Sequence, residues 1–382
     1  MGYTGFTLVM PFLALYIREL GVTDVGKIAI WTGISLGITP ALTAVLAPAW
    51  GRLGDRYGRK IMVERSMISF VVLMAATAYI TRPWHLLALR AVQGLFAGYG
   101  SLSVAMAAES APRDKMPQAI GLVQTAQRLG PAVGPVIGGV LAGLVGLRRA
   151  FLVTAAFYAI GLVVVWLLYD DHAVSHHDLA AELASESEGP PRRVTFRSVL
   201  AFRNFTLMMG VIFGLQFVDR SFGPVLPLYV EQLGVAPARV PLVAGVLFSI
   251  MACTGALGHH FCGTLLRRFP IRMVIAGGAV LASLGSALVS ASEIWVLGAA
   301  AVLLGLGIGA AMTASYTAAG SVIPARAHGA GFGVLTSASL VGMASSPFIA
   351  GVLGGTSLRA VFLLNVAVMG TVAMVVRARM VE

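Results

Sequence analysis

Charge is scarce in this chain. Only 11% of its 382 residues are Asp, Glu, Lys or Arg, whereas a soluble domain carries about a quarter. Hydrophobic residues make up 58%, and the mean hydropathy is +0.86. Cysteine is almost missing as well. Cys253 and Cys262 share one apolar run, which argues against both a disulfide scaffold and a zinc site. No GxxxxGK[ST] phosphate loop occurs, so nothing supports an ATP-driven pump. No Ser/His/Asp set or carboxylate pair falls inside the apolar segments, and the chain reads as a non-enzyme with no cofactor and no metal. His259 and His260, beside Cys262, read as packing or hydration near a helix end. The opening residues lack a charged n-region and a cleavage site, so no signal peptide is expected.

What is present is hydrocarbon-length runs. Residues 28–50, 150–169, 240–266, 273–292 and 294–325 contain no charged side chain, and a bilayer core is spanned by roughly 20 apolar residues. The pattern predicts helices near 2–17, 28–50, 61–81, 84–108, 118–145, 150–169, 204–230, 240–265, 273–292, 294–321, 329–355 and 358–376, numbered 1 to 12 below. The formal net charge of +11 suggests nucleic acid until the charges are placed. Seventeen of the 27 basic residues fall on the side holding the 51–60 segment and seven on the other; Arg90, Arg128 and Arg220 fall inside helices. That bias puts both termini in the cytoplasm of a multi-pass protein. The basicity orients a membrane protein, and no nucleic-acid partner is expected.

The chain repeats itself. Pro11, Leu15, Tyr16, Leu20 and Gly21 recur as Pro224, Leu228, Tyr229, Leu233 and Gly234, 213 positions on. Gly130, Pro135 and Gly139 recur 212 positions on as Gly342, Pro347 and Gly351, and Phe151 recurs 211 positions on as Phe362. Near-constant offsets predict two six-helix halves, 1–169 and 204–382. Residues 170–203, acidic and holding Gly189, Pro190 and Pro191, read as a solvated cytoplasmic linker whose 192–202 end is an amphipathic surface helix. Met1 aligns with Gly214, so about ten residues that lead helix 7 have no counterpart in helix 1; a start placed too late or a trimmed chain is expected.

Two motifs carry the strongest signal. Gly51, Asp55, Arg56, Gly58, Arg59 and Lys60 fit GxxxDRxGRK between helices 2 and 3. Gly130, Gly134, Pro135, Gly138 and Gly139 fit GxxxGPxxGG in helix 5. Glycines at i, i+4 and i+8 make a groove that admits a neighbouring helix, and Pro135 removes a helix hydrogen bond. The first motif resembles the loop signature of major facilitator superfamily transporters, and the second resembles the antiporter signature of their drug:proton exporters. That resemblance implies an all-α integral membrane fold of 12 transmembrane helices in two pseudo-symmetric six-helix bundles. It also implies a cytoplasmic gate in which Asp55 meets the start of helix 11, around 327–333, and Arg59 meets Glu109. The second-half copy of the loop is degraded, with Arg267 and Pro270 in place of the Asp and the second Gly.

Polar residues at membrane depth mark a cavity, because they are costly there unless they face water or a partner. Arg90 and Gln93 form an RxxQG element with Gly94; Gln124 and Arg128 lie one turn apart on helix 5; Gln216, Asp219 and Arg220 lie on helix 7. Asp219 is the proton-carrier candidate, with a permanent structural pair to an arginine as its alternative. The resulting expectation is a proton-coupled exporter of small amphipathic compounds, working as a monomer in the plasma (inner) membrane with lipid, protons and a small-molecule substrate as its only partners. A proton-coupled importer of an organic anion or sugar, and a non-transporting sensor on the same scaffold, stand as alternatives.

Overall fold

A computed structural model describes residues 2–97, 103, 106, 116–168, 204–289, 293–323 and 328–380. They form twelve helical spans, and no strand occurs among them. Helix 1 comprises Gly2–Val9, a 3-10 turn Met10–Phe12 and Leu13–Glu19; helices 2 to 6 are Val25–Tyr57, Arg59–Thr77, Pro83–Phe96, Met116–Val145 and Leu147–Leu168. Helices 7 to 12 are Phe205–Gln232, Val240–Leu266, Ile271–Val289, Ile294–Val322, His328–Gly354 and Leu358–Arg379. Helices 2 and 6 to 12 are long and apolar enough to cross a membrane. Helix 3 opens on Arg59, Lys60, Glu64 and Arg65, and the described part of helix 4 stops at Phe96. The predicted linker, with its 192–202 surface helix, lies outside the described residues.

Two predicted boundaries change. Helix 1 is not one rod: Pro11 has no amide hydrogen for the α ladder, and the chain tightens into a 3-10 turn there. The 51–60 segment is not a ten-residue loop either. Residues 51–57 continue helix 2, because nothing before Gly58 breaks a helix. Gly58 alone separates helices 2 and 3, at φ 93° and ψ 141°, a conformation essentially reserved for glycine.

The repeat is visible in the packing. Helix 3 lies on helix 6 as helix 9 lies on helix 12, helix 2 on 4 as 8 on 10, and helix 1 on 5 as 7 on 11. Tyr16 tilts against Phe151 at 4.8 Å between ring centroids, and their repeat mates Tyr229 and Phe362 meet at 5.0 Å. Helices 1 and 7 are innermost: Leu8, Phe12, Leu13, Tyr16 and Ile17 are buried, as are Phe205, Leu215, Phe222 and Tyr229. Trp166, Leu168, Trp295 and Met374 are exposed on outer helices, as side chains facing lipid would be. Hydroxyls inside helices bond one turn back, as Thr32 does to the Ile28 carbonyl and Ser315 to the Ala311 carbonyl, so no water is needed there.

The halves meet through two symmetry-related pairs, helix 2 with helix 11 and helix 5 with helix 8. Both seams are made by close backbone approach. A Cβ added at Gly33 would run into the Pro347 carbonyl and lie 2.9 Å from the Gly351 Cα; one added at Gly37 would lie 2.6 Å from the Ala344 carbonyl oxygen. These contacts lie in the parts of helices 2 and 11 remote from the Gly58 turn. The membrane side opposite that turn, called the distal side here, is therefore closed.

Candidate functional site

At the Gly58 turn, the Lys60 ammonium reaches the Trp166 carbonyl on helix 6 at 3.3 Å, a bond inside the first half. The side chains of Gly51, Asp55, Arg56 and Arg59, and all of Glu109, lie outside the described residues, so the predicted gate contacts remain expectations. Next to the turn stands a clamp that sequence reasoning missed. The Arg65 guanidinium lies 3.4 Å from the Trp50 ring centroid and donates to the Phe96 carbonyl, while Trp50 Nε1 donates to the Leu95 carbonyl at 2.8 Å. Helices 2, 3 and 4 are thereby tied together at the signature end. In sequence Arg65 was one more basic residue on a basic side.

The glycines of the GxxxGPxxGG motif divide their work. Gly138 faces helix 1, where an added Cβ would overlap the Leu8 carbonyl. Gly139 faces the other half, 2.6 Å from the Pro241 carbonyl oxygen by the same measure, and Gly245 of helix 8 packs back onto Pro135. Gly130 accepts a hydrogen bond at its carbonyl from Thr7 at 2.9 Å, and Gly134 is buried. Helix 5 thus touches its own half and the opposite half along one stripe, and two prolines, Pro131 and Pro135, interrupt its hydrogen-bond ladder there.

In the first half Arg90 is 1% exposed and donates from Nη1 to Gln93 Oε1 at 2.5 Å, while its Nη2 has no hydrogen-bond partner among the described residues. Thr39 on helix 2 holds the Arg90 carbonyl at 2.9 Å, and Gly94 lets the two helices close. A buried guanidinium whose one acceptor among the described residues is a neutral amide attracts an anionic or hydrogen-bonding group. The side chains of Gln124 and Arg128 lie outside the described residues.

In the second half the structure adds partners that the sequence did not reveal. Gln216 donates to Ser339 Oγ on helix 11 at 2.8 Å, and Ser339 also hydrogen bonds Tyr316 on helix 10. Three helices thus meet at one polar node. His259 Nδ1 lies 2.6 Å from Thr313 Oγ1, linking helices 8 and 10 and accounting for one of the two neighbouring histidines. Asp219, at the middle of the 28-residue helix 7, is 36% exposed and pairs with the adjacent Arg220, 45% exposed, at 3.3 Å. Asp219 and Arg220 are thus brought together, whereas Arg90 pairs with Gln93 in the other half. Tyr316 and Ser339 gave no sequence signal beyond being polar in apolar runs. A cavity lined by Phe222, Leu226, Met251 and Leu304 has no polar side chain and is a packing gap.

The comparisons with known proteins agree with this architecture. The sequence profile of the Major Facilitator Superfamily matches residues 1–293 and 241–381. The chain is similar to the multidrug resistance protein MdtG of Proteus mirabilis (strain HI4320), 31% identical over 304 residues, covering 79% of this chain and 73% of that one. It is also similar to the multi-drug resistance efflux pump PmrA homolog of Lactococcus lactis subsp. lactis (strain IL1403), 29% identical over 356 residues, 92% and 85% of the two chains. A crystal structure of a bacterial homolog of the human lysosomal transporter Spinster shares the fold at a TM-score of 0.82 and 15% identity, over 99% of this chain and 93% of that one.

Proposed function

We propose that this chain, which belongs to the Major Facilitator Superfamily, is a proton-coupled antiporter that exports small amphipathic compounds from the cytoplasm by alternating access. It is a multi-pass membrane transporter whose relatives carry multidrug efflux names; the coupling ion, the direction and the plasma-membrane, termini-inside, monomeric arrangement are our reading. The observation that carries it is the place of the antiporter-like motif. Its Gly138 and Gly139 lie back to back against helix 1 and helix 8, so helix 5 is packed on both halves at its prolines.

In this reading Asp219 exchanges an ion pair for a proton. Held 3.3 Å from Arg220 it is an anion with a counter-charge. A change of side-chain rotamer that parts these two neighbours on helix 7 leaves a lone carboxylate among apolar residues, and a proton then replaces the arginine as its counter-charge. Arg90 with Gln93, and Gln216 with Ser339 and Tyr316, supply hydrogen-bonding groups for substrate on opposite walls of the central region. The Asp55 turn gates the cytoplasmic side. Each proton entering along the potential supplies about 2.3 kcal/mol per 100 mV.

Uptake of one cationic, one neutral and one anionic fluorescent compound into inside-out vesicles, with and without an imposed proton gradient, tests this. Gradient-driven accumulation that is lost in Asp219→Asn and in Asp55→Asn is expected. Gradient-independent equilibration of every compound by folded protein would refute proton antiport.

A further inference from the structure

Helix 1 and helix 7 end on the distal side, and an ion pair joins them there. Arg18 Nη1 and Nη2 approach Glu231 Oε1 and Oε2, each at 2.6 Å, a two-pronged contact in which both guanidinium nitrogens meet both carboxylate oxygens. We propose that Arg18 and Glu231 are the distal gate of the transport cycle, the latch that holds the outer side shut while the substrate region is reached from the Gly58 side.

The repeat supplies the argument. Arg18 and Glu231 are 213 positions apart, the offset that relates Pro11 to Pro224, Tyr16 to Tyr229 and Gly21 to Gly234. They are therefore the same position in the two halves, and they meet where the pseudo-twofold axis emerges. A perfect repeat would place two arginines or two glutamates against each other and push the halves apart. Opposite charges at this one pair of equivalent sites convert repulsion on the axis into attraction.

Each partner is anchored to its own half. Two residues before Arg18, Tyr16 donates to the Thr77 carbonyl at 2.5 Å and packs on Phe151. Two residues before Glu231, Tyr229 packs edge-on against Phe362. Three residues beyond each charge the chain turns at a glycine of positive φ, Gly21 at 94° and Gly234 at 85°. The pair thus reports the relative position of two rigid bodies. Arg148, whose guanidinium lies 6.0 Å from the Tyr16 ring centroid, is bound to the Ala78 and Ile80 carbonyls of the first half.

The glycine seams between helices 2 and 11 and between helices 5 and 8 are close-packed but without direction. Arg18 at 35% and Glu231 at 25% side-chain exposure keep partial access to water, so opening exchanges the pair for hydration instead of stranding two charges. A latch that is made and broken in every cycle needs that balance.

The inference rests on alternating access, and the test separates the two. In protein with Cys253→Ala and Cys262→Ala, reconstituted in liposomes, spin labels at the exposed Thr23 and Ala236 report the distal separation by pulsed electron resonance. Arg18→Glu alone and Glu231→Arg alone are expected to raise the ratio of distal-open to distal-closed protein about five- to thirtyfold. The double exchange, Arg18→Glu with Glu231→Arg, is expected to return it to within about twofold of the starting protein, and its folding controls for the single changes. Two populations that ignore the single reversals, or a double exchange no better than either single, overturn the latch and leave alternating access standing. One unsplit distance in every variant, with and without a proton gradient, overturns both.

Discussion

Gly33→Ala adds a single carbon to the seam between helices 2 and 11. The new Cβ would collide with the Pro347 carbonyl and stand 2.9 Å from the Gly351 Cα and 3.1 Å from the Pro347 carbonyl carbon. Carbon pairs sit comfortably at about 3.5–4.0 Å, so helix 11 must retreat by roughly 1 Å. Overpacking of this kind costs about 1–3 kcal/mol, and alanine returns up to about 1 kcal/mol as the better helix former. At full propensity gain the net cost to the closed distal side is up to about 2 kcal/mol, a factor of up to about 30 in population. Gly370→Ala is the matched control, because nothing lies within 4 Å of its added Cβ and only the helix-propensity gain remains. Gly351→Ala strikes the same contact from the other side, 2.5 Å from the Ala29 carbonyl oxygen and 3.0 Å from the Gly33 Cα. The double variant should therefore cost less than the two singles together, since one displacement relieves both. Thermal unfolding in detergent, read beside the Thr23–Ala236 distance, measures all four. Gly33→Ala melting level with Gly370→Ala, at an unchanged distal distance, would refute the claim that backbone contact closes this side.

Three further substitutions probe other parts of the molecule. Gln93→Leu removes the acceptor of the buried Arg90 guanidinium; a loss of about 1–3 kcal/mol in stability is expected, visible as a lower melting temperature, and an unchanged melt would mean that Arg90 has another partner. Gly58→Ala places a side chain at φ 93°, at a cost of about 1–3 kcal/mol; reduced thermal stability with helix content preserved by circular dichroism is expected. Gln216→Leu breaks the bond to Ser339, worth about 1 kcal/mol, so the transport KM should rise about fivefold with little change in melting temperature if the node contacts substrate, and only the melt should move if it does not.

Much of the fold was legible because the bilayer reduces the problem to length and polarity. Runs without charge marked five of the twelve spans, and the recurrence of Pro11, Tyr16 and Gly21 at Pro224, Tyr229 and Gly234 marked the two halves. Boundaries were less legible. Residues 51–57 look like a loop because they are charged, yet charge ends hydrophobicity and not helicity, so helix 2 runs on to Tyr57. Of the polar residues singled out at depth, Arg90 with Gln93 and Asp219 with Arg220 form pairs already adjacent on one helix. Partners on other helices, such as Ser339 for Gln216 and Thr313 for His259, were not legible, since a hydroxyl in an apolar run looks the same whether it bonds its own helix or another.

By itself the sequence determined a two-fold repeated, twelve-helix membrane chain, because hydropathy and repeat offset are properties of a string of residues, and the resemblance of its two motifs supplied the transporter family. It also determined which glycines are available for close approach. Only the tertiary structure decided what those glycines approach: Gly138 meets helix 1 while its neighbour Gly139 meets the opposite half. Only the tertiary structure turned Arg18 and Glu231, unremarked charges at two helix ends, into a pair on the axis. The reason is physical: a helix fixes which residues share its face, but which face meets another half is set by packing over distances of hundreds of residues.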